Sequence, residues 1–376
     1  MKILVLNCGS SSIKYKLFES QKPLVSGIIE KIGEKNSKIK NYKQGIKEML
    51  LRLLKSEKIK SISEIKAIGH RVVHGGKLSK SCLINKAVLK TIRKFSSVAP
   101  LHNPAELEGI TEMKKVLPEI PHVAVFDTAF HQTLPEHAFV YAIPYDFYKK
   151  EGIRKYGFHG TSHQYVSARA AEILKIPLKK LKIITCHLGA GCSMAAVDRG
   201  KSIDTSMGFT PMEGIMMGTR CGDIDPGILI YLADKKKISP KKLDEIFNNE
   251  SGLAGVSGAG KDIRDVIKGA KKNKRCRLAL EMFCYRLKKY IAAYCAVLDK
   301  PDAIVFTAGI GENNPLIRKL SSEIKCLGIK IDEKKNRKIN KQEGIISSAD
   351  SKVKVLVIPT DEEKLIALET EKAVKK

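Results

Sequence analysis

The 376-residue sequence contains no tryptophan, no CxxC pair and no long apolar run. A membrane helix needs about 18 or more consecutive apolar residues, and the apolar start of the chain already ends at Asn7, too early for a signal-peptide core. The nine cysteines are scattered, which indicates reduced thiols rather than a disulfide framework. We therefore expect a cytoplasmic protein that makes no contact with a membrane.

Acidic residues are scarce relative to basic ones, with 40 Asp and Glu against 68 Lys and Arg and a net charge of +28. A basic surface attracts phosphate chains of any sequence. However, the lysines form short groups such as Lys179-Lys180, without interleaved aromatic side chains. This pattern favours solvated faces that attract small anionic substrates, and we expect no nucleic-acid partner. The length suits about two folded domains.

Two segments predict β-hairpins with polar tips. "ILVLNCGSSSIKYKLF" (3–18) and "IITCHLGAGCSMAAVDR" (183–199) each run from an apolar strand through a glycine-containing turn into a second strand. Gly9 and Gly189 occupy corresponding places, which predicts an internal duplication and two lobes of similar topology. A third strand followed by a glycine-rich turn is predicted in "AIVFTAGIGEN" (303–313).

Helix signals fill the intervals between these strands. Asn103 and Asp225 each precede a proline and are predicted to cap a helix. Apolar residues at helical spacing predict a long core helix over 278–298. Thr360 and Glu363 have the spacing of a capping box for a last helix that runs to about Val374. The mixture of strands and helices predicts an α/β protein.

Two known nucleotide motifs are absent. "GVSGAGKD" (255–262) resembles a P-loop, but Asp262 stands where Ser or Thr would hold magnesium. "GIGENN" lacks the third glycine of a dinucleotide fingerprint. The glycine and serine turns can still cradle phosphate, because backbone amides and hydroxyls converge there. Ordinary hairpin turns are the alternative, and the repetition of such turns favours a phosphate-binding cleft.

Five residues stand out as candidates for chemistry. Arg71 in "GHRVVHGG" and Arg220 in "MGTRCGDIDPG" could grip carboxylate or phosphoryl oxygens, although salt bridges are the plainer interpretation. Asp127 follows an apolar strand and could equally pair with an arginine. His159 in "KYGFHGTSHQYV" fits a loop donor better than a zinc ligand, because no HExxH pattern is present. Glu362 could bind magnesium or simply favour a helix start.

At these positions the chain resembles the acetokinase family of the actin, sugar-kinase and heat-shock ATPase superfamily. "NCGSSSIKYKLFE" and "YGFHGTSHQYVS" resemble its two signature segments, and further segments follow in its order: "HRVVHGG", "APLHNP", "VFDTAFHQTLPE", "TSMGFTP", "MGTRCGDIDPG", "TAGIGEN" and "PTDEE". The resemblance runs from Lys2 to about Ala373. It is weakest over 20–63, a polar, lysine-rich segment expected to be peripheral to the chemistry.

The resemblance implies a fold and an activity. The fold would be two duplicated lobes of the actin-like ATPase (ribonuclease H-like) type with an interdomain cleft, with residues 1–150 and 364–376 in the N-terminal lobe and 151–363 in the nucleotide-binding lobe. The activity would be reversible, ATP-dependent phosphorylation of acetate to acetyl phosphate in a homodimer, with ATP or ADP as co-substrate and Mg²⁺, which Mn²⁺ can replace.

The resemblance also assigns roles to residues. Catalysis falls to Asp127, His159, Arg71 and Arg220. Acetate binding falls to Arg71, Val73, Leu101, Phe158 and Pro211. Nucleotide binding falls to Ser10, Ser12, Lys14, His187, Gly189, Gly191, Gly309, Ile310, Gly311 and Asn313, and magnesium to Asn7 and Glu362.

One departure from the family pattern is visible. Ala190 stands where the family usually has asparagine, and Cys192 where it usually has serine. We expect weaker binding of nucleotide or acetyl phosphate, not loss of the reaction. The alternatives are a kinase for propionate or butyrate and, from another class, a partner-driven actin-like ATPase. Acetate-dependent ADP formation would distinguish the latter.

Overall fold

Two mixed β-sheets form the framework of the chain, and the structure, a computed structural model, describes residues 1–100 and 102–375. Contacts divide the chain into two units. The first contains Met1–Gln132, Phe158–Ser162 and Asp361–Lys376, and the second contains Thr133–Gly157 and His163–Thr360. The predicted lobe boundaries, residues 1–150 with 364–376 and residues 151–363, stay a prediction beside these contact-based units.

The first unit contains a six-stranded sheet. Its strands are β1 (Lys2–Gly9), β2 (Ser12–Glu19), β3 (Lys22–Ile29), β4 (Ile65–Val72), β5 (Cys82–Leu83) and β6 (His122–Phe126). Their order across the sheet is β3-β2-β1-β4-β6-β5. β1, β4 and β6 run parallel, and the other pairs are antiparallel. The carboxyl ends of three strands therefore meet at one edge.

The second unit repeats this plan. Its strands are β7 (Lys182–Leu188), β8 (Cys192–Asp198), β9 (Lys201–Thr205), β10 (Ala303–Thr307), β11 (Gly344–Ile345) and β12 (Lys354–Val357). Their order is β9-β8-β7-β10-β12-β11, with the same parallel and antiparallel pairs as in the first sheet. Both predicted hairpins are present, β1-β2 and β7-β8. The α/β fold of two similar lobes is thus confirmed.

Helices connect and cover these strands. In chain order they are α1 (Tyr42–Lys55), α2 (Lys86–Lys94), α3 (Asn103–Val116), α4 (Glu136–Phe139), α5 (Gly160–Leu174), α6 (Pro226–Lys235), α7 (Pro240–Asn249), α8 (Gly252–Ser257), α9 (Ile263–Gly269), α10 (Lys274–Val297), α11 (Ala308–Asn313), α12 (Pro315–Ser322), α13 (Glu333–Lys338) and α14 (Glu362–Val374). Asp225 caps α6 as predicted, and α10 buries the predicted apolar stripe. Within the described ranges, no helix is both long and apolar enough to cross a membrane.

Three local predictions were wrong. Asn103 is the first residue of α3 rather than its cap, because its side chain binds the chain after β4 instead. Asp361, not Thr360, caps α14, and its carboxylate accepts a hydrogen bond from the Lys364 amide at 3.1 Å. The glycine-rich segment after β10 forms the short helix α11 rather than a turn.

The first sheet is covered on both faces. α1 and α3 pack on the face that presents Leu4 and Leu6, and α14 packs on the opposite face that presents Ile3 and Val5. The polar segment 20–63 supplies β3 and α1, so it belongs to the fold of the first unit, and its expected position away from the chemistry stays a prediction. Full burial of one such apolar side chain stabilises the fold by about 1.5–3 kcal/mol.

Candidate active site

The ends of the three parallel strands of the first unit carry polar side chains on one face. Val5, Gly69 and Val123 are paired across β1, β4 and β6. Side chains alternate along strands, so Asn7 and Arg71 lie on the face of these residues. α14 covers that face, since a Cβ on Gly69 would lie 2.3 Å from Thr370 Oγ1 of this helix. The start of α14 adds Glu362 to the group.

Arg71 and Asp127 form a two-pronged ion pair. Nε of Arg71 donates to Oδ1 of Asp127 at 3.1 Å, and Nη2 donates to Oδ2 at 2.7 Å. The Asp127 side chain is 1% exposed and that of Arg71 is 16% exposed. Burial by itself lowers the pKa of Arg71, but the charges of Asp127 and Glu362 and the hydrogen bonds that Arg71 donates to Asp127 raise it above its ordinary value. The guanidinium is thus fixed in place and always charged.

A second carboxyl group, that of Glu362, belongs to the same cluster. The Thr161 hydroxyl lies 3.3 Å from Oδ1 of Asp127 and 3.4 Å from Oε1 of Glu362. Burial raises the pKa of Glu362; the nearby Arg71 opposes this effect, and the charges of Asp127 and Glu363 add to it. A cation placed against Glu362 would reverse that shift.

His159 lies at a strained turn beside this cluster. Its φ is 56°, in the left-handed region that a residue with a side chain rarely adopts. The amide of the next residue, Gly160, donates to the Asp127 carbonyl at 3.0 Å, and a Cβ on Gly160 would lie 2.0 Å from that oxygen. The end of β6 and the start of α5 are therefore in close contact, and this packing holds His159 in its strained conformation.

Besides Arg71, the predicted acetate-binding residues include Val73 and Phe158, which are both buried in the first unit. The ring of His74, the residue after Val73, stacks on Phe95 with 4.4 Å between ring centroids, and it meets Phe158 edge-on at 5.6 Å. These rings and the Val73 side chain form an apolar wall, and Val73 lies two residues after Arg71 in the chain. Leu101, another predicted residue of this set, lies outside the described residues.

The sequence did not reveal Glu106. Its carboxylate is 2% exposed and accepts from the Val73 amide at 2.9 Å, while Asn103 in the same turn of α3 accepts from the His74 amide at 3.0 Å. Burial raises the pKa of Glu106 to about 8, although the Val73 amide and the charge of Arg71 oppose the shift. A glutamate in an amphipathic helix gives no sequence signal of burial, so no pattern could have found it.

The β1-β2 hairpin presents the predicted phosphate residues unevenly. Ser10 and Lys14 are exposed, and Ser12 is half-buried. Lys14 pairs with Asn7 across the hairpin, so both side chains lie on the α14 face. The hydroxyl of Tyr42, from α1, donates to the carbonyl of Gly9 and steadies the tip.

The second unit contains an open cavity of about 780 Å³. Six predicted residues line it: Gly189, Gly191, Arg220, Gly309, Ile310 and Asn313. The lining does not include Gly311, which packs inside near Phe306, or His187, which is buried in β7, or Pro211. The cavity thus joins the tip of the β7-β8 hairpin to α11, the two glycine-rich segments of the sequence.

Arg220 differs from Arg71 in its surroundings. Its Nη1 donates to the Pro211 carbonyl at 3.3 Å and lies 3.8 Å from Met217 Sδ. Among residues 1–100 and 102–375 it forms no salt bridge, and burial lowers its pKa. A half-buried guanidinium that lines a cavity and is not paired with a carboxylate is suited to receive an anion.

The rejected P-loop segment contributes to this cavity in another way. It is not a P-loop: α8 ends in it, and Gly258 and Gly260 take positive φ values of 69° and 93° before Lys261. Lys261 and the following residues nevertheless line the cavity. The lining residues that the sequence analysis missed are Gly218, Thr219, Lys261, Asp262, Ile263, Arg264, Asn314, Asn340 and Lys341.

Comparison with known proteins gives a consistent result. The model of the acetokinase family matches residues 2–368. An acetate kinase of Thermoanaerobacterium thermosaccharolyticum is 54% identical, with 100% of this chain and 99% of that protein covered. The crystal structures of Porphyromonas gingivalis acetate kinase and of a propionate kinase from Francisella tularensis are similar, with TM-scores of 0.93 and 0.92, identities of 44% and 46%, and 99% of each chain covered. The chain belongs to the acetokinase family.

Proposed function

We propose that this chain is an acetate kinase that transfers the γ-phosphoryl group of ATP to acetate and forms acetyl phosphate and ADP reversibly. The first unit supplies the fixed Arg71 and an apolar wall, which suit a small carboxylic acid. The second unit supplies the glycine-lined cavity, which suits a nucleotide. The observation that carries the proposal is the pair of arginines, one anchored by Asp127 and one without a carboxylate partner.

The chemistry requires charge compensation rather than a strong base. An acetate oxygen forms a bond to the γ-phosphorus, and the bond from that phosphorus to the bridging oxygen breaks, so ADP leaves with the electron pair and no proton is transferred. The barrier lies in bringing two anions together, and fixed cationic donors lower it. We assign this role to Arg71, Arg220 and His159, while Asp127 orients Arg71.

Ser10, Ser12, Lys14 and His187 are proposed to contact the nucleotide phosphates together with the cavity glycines. The donor set also fits magnesium. Glu362 is a half-buried carboxylate whose raised pKa a bound cation would lower, and Asn7 lies on the sheet face that α14 covers. No cluster of three or more His, Cys, Asp or Glu occurs in the described part of the chain, which suits a metal held mainly by substrate phosphates. Mg²⁺, or Mn²⁺ in its place, would neutralise phosphate charge.

The test is a hydroxamate assay for acetyl phosphate with ATP, magnesium and acetate. Acetate-dependent product and ADP are expected in equal amounts. ATP hydrolysis that ignores acetate would instead indicate a partner-driven ATPase.

Propionate is the second candidate substrate, since a propionate kinase is 46% identical over 99% of this chain. One methylene changes discrimination by only about 1–3 kcal/mol. Competing turnover of acetate, propionate and butyrate decides between them, and we expect acetate to give the highest kcat/KM.

We also propose a cytoplasmic homodimer. All nine cysteines are free thiols, and α6 exposes a row of apolar side chains, with Ile230 70% and Tyr231 56% exposed. Such a surface on a folded chain marks a contact with another protein. Sedimentation of the wild type and of Ile230→Lys tests this, with a dimer expected only for the wild type.

A further inference from the structure

The second unit contains a fully buried arginine that the reaction does not use. Arg318, in the middle of α12, is 0% exposed, and among the described residues no carboxylate accepts a hydrogen bond from it. Burial lowers its pKa to about 10, so it remains a cation at neutral pH. A buried charge without a counter-ion is costly unless its hydrogen bonds are satisfied.

All five N–H groups of Arg318 have an acceptor. Nη1 donates to the carbonyls of Gly311 at 3.0 Å and Glu312 at 2.8 Å. Nη2 donates to the carbonyls of Asn336 at 2.7 Å and Ile339 at 3.0 Å. Nε donates to Oδ1 of Asn336 at 2.8 Å. A guanidinium has five such donors, so none is left unpaired.

These acceptors belong to two separate helix ends. Gly311 and Glu312 lie in the last turn of α11, and Asn336 and Ile339 lie at the end of α13, where helix carbonyls have no partner within the helix. One cation therefore caps both ends at once. Asn336 strengthens the joint, since its Nδ2 donates to the Pro315 carbonyl at 2.9 Å.

The two joined segments continue directly into the wall of the cavity. Gly309, Ile310 and Asn313 of α11 line it on one side, and Asn340 and Lys341, just after α13, line it as well. We propose that Arg318 is a positioning residue for nucleotide binding, which sets the spacing between the α11 segment and the Asn340-Lys341 segment of the cavity wall. This inference rests on the proposed function of the cavity as the nucleotide site.

The test compares Arg318→Met and Arg318→Lys with wild type by calorimetric titration with ADP and by steady-state kinetics. Methionine removes the charge and all five donors, and lysine keeps the charge without the fork. We expect the ADP Kd and the KM for ATP to rise about tenfold or more in Arg318→Met and less in Arg318→Lys. The KM for acetate should stay within about twofold.

Asn273→Ala is the matched control, because it removes the cap of α10 in the same unit and its residue does not line the cavity. It should lower the melting temperature and leave ADP binding unchanged. Should the Arg318 variants fail to fold, Asn336→Ala decides, with an expected rise in ADP Kd of about two- to fivefold.

An ADP Kd equal to that of wild type in the folded Arg318 variants overturns the inference. If those variants do not fold, a wild-type ADP Kd in Asn336→Ala overturns it. So does an equal loss of ADP binding in Asn273→Ala. If wild type binds ADP but forms no acetyl phosphate, the proposed function fails while the Arg318 comparison still stands.

Discussion

The first unit places charged side chains where its parallel strands end, whereas the second unit places glycines after the corresponding strands, in the wall of an open cavity. The strand order and directions are the same in both. After β4 and β6 come Arg71 and Asp127, already paired with each other. After β7 and β10 come Gly189, Gly191 and Gly309, which leave space. The duplicated backbone therefore fixes where chemistry can occur, and side chains at the strand ends decide which kind.

The two arginines express the same contrast. Asp127 and Glu362 raise the pKa of Arg71 against the effect of burial, whereas burial lowers the pKa of Arg220. Arg71 is thus part of the folded framework, and Arg220 carries an unbalanced charge at the cavity. Removing the Arg71 side chain should therefore lower both stability and activity, whereas removing the Arg220 side chain should lower activity alone.

Arg71→Ala and Arg220→Ala test this directly and should give the largest effects. Each should lower the rate of acetyl phosphate formation by roughly 10²- to 10³-fold, the scale of one fixed electrostatic donor. Arg71→Ala should also lower the free energy of unfolding by about 3–5 kcal/mol, because Asp127 is left buried without its partner. Arg220→Ala should leave stability unchanged or slightly higher. Hydroxamate assays and urea denaturation measure the two effects.

Arg52→Ala serves as a control in the first unit, since Arg52 and Glu48 form an exposed ion pair at 2.7 Å. It should cost no more than about 1 kcal/mol and leave the rate unchanged. Equal losses of stability in Arg71→Ala and Arg220→Ala would contradict the contrast between the two arginines.

A pair of glycine substitutions gives the next largest effect. Gly160→Ala places a Cβ 2.0 Å from the Asp127 carbonyl, so the joint between β6 and α5 must move. We expect a clear fall in both melting temperature and kcat. Gly309→Ala has no heavy atom within 4 Å of its Cβ, and alanine favours a helix, so stability should not fall.

The methyl group that Gly309→Ala adds should instead enter the cavity of the second unit. The KM for ATP should therefore rise several-fold, while the KM for acetate stays constant. Thermal melts and kinetics on both variants separate the outcomes. A stable, fully active Gly160→Ala enzyme would show that the first site tolerates movement.

Sequence patterns were sufficient for the elements whose residues are consecutive. Both hairpins and α10 follow from the spacing of apolar residues alone. Arg71 and Asp127 are 56 positions apart in the chain, and their pairing depends on the register of β4 against β6, which leaves no local pattern in the sequence. From the sequence, a salt bridge was therefore only one of two interpretations of Arg71, and binding of carboxylate or phosphoryl oxygens was the other.

The wrong prediction at Asn103 and the missed cavity residue Lys261 both reflect tertiary structure. Asn103 looks like a cap, yet its side chain is used by the His74 amide and carbonyl, which are distant in sequence. Lys261 belongs to a segment rejected because one motif position failed, although its place beside the cavity does not depend on that motif. Local rules cannot anticipate a tertiary partner that competes for the same polar group.

A third test concerns Glu106, the buried carboxylate of α3 that accepts a hydrogen bond from the Val73 amide in the first unit. Its pKa is raised to about 8 from 4.5 in the unfolded chain, so the folded chain binds the extra proton between these values. The free energy of unfolding therefore falls as pH rises through this window, by at most about 1.4 kcal/mol per pH unit. Glu106→Gln keeps an acceptor for the Val73 amide but has no proton to lose.

Urea denaturation midpoints at pH 5, 7 and 9 measure the difference. Wild type should lose stability relative to Glu106→Gln as pH rises, with little further change above pH 8. Glu108→Gln, an exposed change in the same helix, should follow wild type. Parallel curves for wild type and Glu106→Gln would mean that Glu106 is ionised in the folded chain throughout.

The smallest effect is expected at the tip of the β7-β8 hairpin, where this chain departs from its family. Ala190 lines the cavity, and its carbonyl accepts from the Gly218 amide at 3.3 Å, so the backbone at this position is already fixed. Ala190→Asn should therefore add a side-chain donor without moving the turn. One added hydrogen bond contributes about 0.5–1.5 kcal/mol, which corresponds to a decrease of roughly two- to tenfold in the KM for ATP. Cys192→Ser is the companion variant, but its thiol is buried and points back to the Gly189 carbonyl at 3.4 Å, so it should change the KM less. An unchanged or higher KM in Ala190→Asn would show that the backbone amides of this turn already bind the phosphates fully. Phosphate binding at this turn would then depend on the space that the glycines leave and not on side chains, in contrast to the charged site of the first unit.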